Sequence, residues 1–205
     1  EYEIGFKIDE LFTSFGMGIT TGDDKKLVDF DYNHLAERFP TNNIQKVNYR
    51  LFDIRYINYD SKLIDRGREK LMSNFKSSSN LGLTSLKSVR NDLLSKIGIT
   101  KLMIDKSVIS TLDNGFVFPL YLYPETTTQQ TLDGNTERTP NLNPEIVKQI
   151  AEGLGYFFSP EKPDYNVQTE ETNQLYPIDI LDYIYAVLHS PSYREKYKEF
   201  LKIDF

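Results

Sequence analysis

The chain of 205 residues has no cysteine, no tryptophan and only two histidines, His34 and His189. The missing cysteines exclude disulfides and thiolate metal centres and fit a reducing compartment, so a cytoplasmic location is expected. Two histidines far apart in sequence argue against a His-rich metal centre, and no metal ligand is assigned. No apolar run approaches the roughly 18–20 residues that a membrane helix needs, so no membrane partner is expected. The opening residues, "EYEIGFKIDELF", lack the basic-then-apolar order of a secretion signal. They also begin without Met, which suggests a fragment of a larger chain. Three glycines lie close together in "FGMGITTGDD", but the phosphate-cradling P-loop pattern is absent.

Aromatic residues are abundant, with 14 Tyr and 13 Phe, which argues for a packed core rather than disorder. The length is ample for such a core without staples. The net charge of −6 conceals a strong pattern. Residues 46–106 carry 13 Lys/Arg against 6 Asp/Glu, whereas the segments on either side are acidic. A phosphate-binding surface needs local positive potential, not a basic average. The alternative is a solvated charged face.

Strand patterns predominate over 1–125 and helix patterns over 140–205, which predicts an α+β fold. A mixed or antiparallel sheet is expected in the N-terminal two-thirds and a helical part at the C-terminal end. "EIGFKIDELF" reads as a short strand or turn, and "DYNHLAERF" as a helix stopped by Pro40. "SKLIDRGREKLMSNF" reads as a short amphipathic helix with a basic side. In "GFVFPLYLYPE" the continuous apolar run predicts a buried strand, with Phe118, Leu120, Tyr121 and Tyr123 in the core. Pro119 inside it predicts an edge or a bulge. "NPEIVKQIAEGLGY" carries an Asn143 cap, Pro144 in the first turn and a glycine stop. The tail predicts two helices, with Ile180, Leu181, Ile184, Tyr185 and Leu188 facing inward on the first. No internal repeat is present.

The densest chemistry lies in "NYRLFDIRYINYD", Asn48–Asp60, with three tyrosines, one phenylalanine, two arginines and two aspartates. Its alternation predicts one strand, with Tyr49, Leu51, Asp53, Arg55, Ile57 and Tyr59 on one face and Arg50, Phe52, Ile54, Tyr56 and Asn58 on the other. Asp53, Asp60 and Lys62 have the outline of a metal-dependent nuclease, in which two acids hold a cation and a lysine stabilises developing charge. A charge-assisted bond from Asp53 to Arg50 or Arg55 is the structural alternative.

Five blocks in order resemble the C-terminal target-recognition (specificity) region of Type ISP restriction-modification enzymes, which carry an adenine-specific DNA methyltransferase and an endonuclease. They are "GMGITTGDD" (Gly16–Asp24), "YRLFDIRYINYD" (Tyr49–Asp60), "NLGL" (Asn80–Leu83), "FPLYLYPE" (Phe118–Glu125) and the tail Ile178–Phe205. Leu51 stands where the family usually has Pro. The resemblance implies a DNA target-recognition domain over 1–205, with double-stranded DNA as partner. It implies that an upstream methyltransferase domain contacts this region within the parent chain and uses S-adenosylmethionine. No cofactor is expected in this chain. Neither the Asn/Asp-Pro-Pro-Tyr/Phe methyltransferase motif nor a Walker lysine is present, so no catalytic residue is assigned.

Candidate DNA contacts are Arg50, Arg55, Lys62, Arg66, Arg68, Lys87 and Arg90, as guanine readers or phosphate clamps. Thr20 and Thr21 lie in a glycine-rich turn that can offer backbone N–H groups to a phosphate. Arg138, with Gln129, Gln130 and Asn135, belongs to a long polar loop suited to reading base edges. A protein-interaction or scaffold role within the parent enzyme is the reading from a different class.

Overall fold

In the computed structural model, residues 6–40, 42–76, 79–86, 97–124, 137–163, 173–198 and 201 are described. The chain opens with α1 (Ile8–Leu11) and β1 (Gly16–Met17), then α2 (Asp24–Leu27), β2 (Val28–Asp29) and α3 (Tyr32–Arg38). The first turn is helical, where the sequence pattern predicts a strand or turn. The Glu10 carboxylate accepts the Lys7 N–H at 3.1 Å and so caps the helix start. Asp31 caps α3 by accepting the Asn33 N–H at 2.7 Å, and Leu35 is fully buried beneath it.

The middle third holds β3 (Ile44–Arg50), β4 (Asp53–Asn58), α4 (Glu69–Met72), β5 (Gly82–Leu86), β6 (Ile97–Thr100) and β7 (Met103–Ile104). Then come β8 (Gly115–Pro119), β9 (Tyr121–Leu122), β10 (Thr139–Pro140), α5 (Pro144–Leu154), β11 (Phe157–Phe158) and β12 (Gln174–Leu175). The final helices are α6 (Pro177–His189) and α7 (Pro191–Lys196). The fold is α+β, as the sequence predicts.

Two four-stranded sheets organise these elements. One runs β1-β8-β5-β6 and is antiparallel throughout. The other runs β2-β4-β3-β7, with β3 and β7 parallel. β8 separates two cores. Because successive side chains point to opposite faces, Val117 enters one core and Phe118 the other. Phe118 packs with Leu83, Leu120, Ile146, Val147, Ile180 and Leu181, the inward faces of α5 and α6. Val117 packs with Ile19, Val47, Ile57, Met72, Met103 and Ile104. Each such side chain contributes about 1.5–3 kcal/mol by leaving water. Asn141, fully buried, ties the first core together. Its carbonyl accepts from Thr13 and Ser14 at 2.7 and 2.8 Å, and its amide donates to the Ser14 and Pro119 carbonyls at 2.6 and 2.7 Å.

Two further expectations change. Pro119 lies in an inner strand, not at an edge or bulge. The Leu120 N–H donates to Leu81 at 2.7 Å, so the Pro119 nitrogen points the other way. On that side β1 has already ended, with Gly16 opposite Val117. No ladder donor is needed there. The aromatic stretch Asn48–Asp60 is also not one strand but a hairpin of β3 and β4, turned at Leu51 and Phe52. Phe52 has φ +64°, in the left-handed region that glycine and asparagine favour. A bulky residue there costs about 1–3 kcal/mol.

Candidate nucleic-acid interface

The hairpin is braced by rings and ions. The Arg50 and Arg55 guanidinium carbons lie 3.9 and 4.1 Å from the centre of the Tyr49 ring. Arg55 also sits 3.9 Å over Phe30, which follows β2. The edge of Arg55 is held by Asp53, with Nε and Nη2 donating to Oδ2 at 3.0 and 2.9 Å. Arg50 Nη1 donates to Asp105 Oδ1 at 2.7 Å. Planar guanidinium groups suit this pairing of a ring face and a carboxylate edge. Asp53 therefore orients an arginine, and the partner is Arg55.

A second layer holds the first. The Tyr49 hydroxyl donates to Asp24 Oδ2 at 2.5 Å, and the Thr21 hydroxyl donates to the other Asp24 oxygen. Burial and the Asp24 carboxylate push the Tyr49 phenol up, so it remains a neutral donor. Asp105 is only 4% exposed. Desolvation pushes its carboxyl above the ordinary range, opposed by the Ser107 N–H at 2.8 Å and by Arg50.

A run of exposed cations lies on the segment after the hairpin. Lys62, Arg66, Arg68, Lys70 and Lys76 are all exposed. Asp60 accepts the Lys62 N–H at 2.9 Å and so closes a turn. The Arg66 side chain is 63% exposed and approaches Asp65 only loosely, at 3.8 Å. Its backbone is fixed: the N–H donates to Thr20 at 3.0 Å and its carbonyl accepts from Thr20 at 3.1 Å. Residues 18–21 thus join the two cationic regions. At Gly18 a Cβ would stand 2.6 Å from the Asp105 carbonyl, so glycine is required for this approach. Thr20 and Arg66 form one bridge, while Ile19 and Asp105 form another.

The structure brings Arg50, Arg55, Thr20, Thr21 and Arg66 into one connected scaffold, with Lys62 and Arg68 on the same segment as Arg66. Thr21 is buried there and its hydroxyl serves Asp24. Arg138 lies elsewhere, on the C-terminal side. It sits 3.9 Å over Tyr121 and grips Glu161 with two bonds of 2.7 and 2.8 Å. Burial first, and then Glu161, raises the Tyr121 phenol to about 12. Lys87, Arg90, Gln129, Gln130 and Asn135 lie outside the described residues.

The nuclease outline does not assemble. Asp53 is engaged by Arg55, and Asp60 caps its own turn. Among the described residues no three His, Cys, Asp or Glu side chains gather to hold a metal ion. Sequence reasoning misses Asp24, Phe30 and Asp105 as parts of this scaffold. Asp105 is findable in "KLMIDKS", where a lone acid interrupts an apolar run and so needs a partner. Phe30 gives no such signal.

These features define a two-sheet α+β domain with an arginine-bearing hairpin on one side of β8 and a helical layer on the other. Residues 28–205 match the family described as the Type ISP C-terminal specificity domain, and the chain belongs to that family. Three solved structures share the fold. A DrdV–DNA complex is 17% identical, with a TM-score of 0.70, over 95% of this chain and 21% of that one. The Type ISP restriction-modification enzyme LlaBIII bound to DNA is 19% identical, with a TM-score of 0.65, over 100% of this chain and 14% of that one. A nuclease-deletion mutant of the Type ISP enzyme LlaGI with a DNA substrate mimic is 17% identical, with a TM-score of 0.59, over 98% and 17%. The chain therefore spans about a fifth or less of these proteins. A search of the curated proteins finds no match.

Proposed function

We propose that this chain is the sequence-specific DNA target-recognition module of a restriction-modification enzyme. It binds duplex DNA and presents the target adenine to a methyltransferase domain of the parent chain, which extrudes the base for reaction. The observation that carries this reading is membership of a specificity-domain family over 28–205, which includes the whole arginine hairpin. The three solved relatives are each described with DNA. Lys62, Arg66, Arg68 and Lys70 are exposed and suit phosphates, which position but do not specify. Lys87 and Arg90 are assigned to the same role from sequence. Arg50 and Arg55 suit guanine O6 and N7 through the guanidinium N–H groups that Asp105 and Asp53 do not take. Arg138 completes the assignment, whereas the Thr20 N–H, expected from the sequence to offer itself to a phosphate, is already spent on the Arg66 carbonyl at 3.1 Å. S-adenosylmethionine belongs to the methyltransferase domain, and the module itself uses no cofactor. The parent works in the cytoplasm. Among the described residues, no helix is long and apolar enough to cross a membrane.

The test is a mobility shift with duplex DNA at increasing salt. Binding should weaken steeply. Lys62→Ala, Arg66→Ala and Arg68→Ala together should lower the log–log salt slope by about 0.9 for each phosphate that is no longer neutralised. An unchanged slope and affinity in a folded triple variant would refute the phosphate assignment. No binding of any duplex from a randomised pool would refute the DNA reading.

A further inference from the structure

The tip of the β3–β4 hairpin presents an unusual pair of properties. Phe52 is 95% exposed and holds φ +64°. Leu51 and Ile54 beside it are also exposed, at 39% and 57%. A loose tip would relax, but this one stands on a braced base. Arg50 is tied to Asp105, Arg55 to Asp53, and both guanidinium groups lie over Tyr49. Folding gains nothing from an exposed ring in a left-handed backbone, so the gain lies in what the ring meets.

The charge around the tip selects that partner. Residues 44–58 carry Lys46, Arg50 and Arg55 against Asp53, with Asp105 paired to Arg50 and Asp24 bonded to Tyr49 beneath the tip. The following segment adds Lys62, Arg66, Arg68, Lys70 and Lys76 against Asp60, Asp65 and Glu69. An apolar point flanked by cations matches a polyanion with an apolar interior, which is the base stack of a duplex. A two-stranded ribbon also fits the major groove. Apolar side chains such as Phe are known to wedge between base steps and unstack them.

Resting on the DNA reading above, we infer that Phe52 is a wedge that stacks on bases at a partly opened step, with Leu51 and Ile54 as its shoulders. Phe52 is then a positioning residue for the recognised duplex, and Arg50 and Arg55 set its register.

The chain has no tryptophan, so Phe52→Trp introduces a single fluorescent reporter at the tip. The probe is a short duplex selected on the wild-type chain from a randomised pool. The fluorescence of the introduced indole should be quenched and shielded from acrylamide when the duplex binds. Phe52→Gly should bind the same duplex roughly tenfold to a hundredfold more weakly, the loss expected of one stacked base. Its salt slope should be unchanged, because phenylalanine neutralises no phosphate. Glycine accepts φ +64°, so this variant should fold with unchanged or higher thermal stability. Lower affinity with undiminished stability is an outcome that a merely structural Phe52 does not produce. If the wild-type chain binds the duplex while the indole of Phe52→Trp stays accessible and Phe52→Gly keeps its affinity, the wedge is overturned and the DNA reading stands. If the wild-type chain enriches no duplex, the DNA reading falls and the wedge with it.

Discussion

The two sides of β8 are stabilised in different ways. On the Phe118 side, α5 and α6 lay ordinary apolar faces against a sheet, and Arg138 clamps Glu161 at the rim. On the Val117 side, a comparable apolar core is capped by a layer of Tyr49, Arg50, Arg55, Asp24, Asp53 and Asp105. An apolar face needs only area and shape. A polar layer needs every partner present, because a buried charge left alone is costly. The first side therefore supports, while the second holds side chains in set directions close to the surface.

The largest test of this contrast is Leu181→Ala in the helical core, which should cost about 2–5 kcal/mol in urea unfolding. A loss below about 1 kcal/mol would mean that α6 is not the buried wall described. Asp105→Ala should come next, at about 1–3 kcal/mol, because Arg50 and the Ser107 N–H lose their acceptor. If Asp105→Ala proves neutral, the polar layer is ornament and not a brace. Arg138→Ala should cost about 1 kcal/mol or less, since its Glu161 partner is largely solvated.

Acidity gives a finer separation. The Asp105 carboxyl has a raised folded pKa, so the folded state holds its proton more readily than the unfolded chain. Its contribution is fully present below the ordinary carboxylate value and is lost as pH rises through the folded value. Thermal melts of the wild type and Asp105→Asn across the acidic range should differ in slope in that window. Parallel curves would remove Asp105 as a titrating brace. The smallest expected effect on stability is that of Lys62→Ala, Arg66→Ala or Arg68→Ala, each within about 0.5 kcal/mol. A larger loss would show that these exposed cations support the fold.

Much of the supporting side is legible in the sequence. Asn143 with Pro144 marks the start of α5 and a glycine, Gly153 or Gly155, its end; the structure chooses Gly155, and the Asn143 side-chain oxygen accepts the Glu145 N–H at 3.0 Å. The spacing of Ile180, Leu181 and Leu188 gives the buried face of α6, whereas Tyr185, which the same spacing places inward, is exposed. These signals are local, which is why they survive. The first helix is not legible, because four residues carry too little period to distinguish a helix from a turn. The hairpin is hidden because Leu51 and Phe52 lack the glycine or asparagine that announces a tight turn. Pro119 misleads because its tolerance depends on where a neighbouring strand stops.

By itself, the amino-acid order determined the α+β class, the concentration of positive charge in 46–106 and the family blocks. Charge and periodicity are properties of the chain and need no partner. The tertiary structure alone decided that Arg50 meets Asp105, that Thr20 bridges Arg66 and that Phe52 stands clear at a hairpin tip. Those facts join residues up to fifty-five positions apart. Such pairing is set by sheet register and by one close backbone approach at Gly18, which no local pattern encodes.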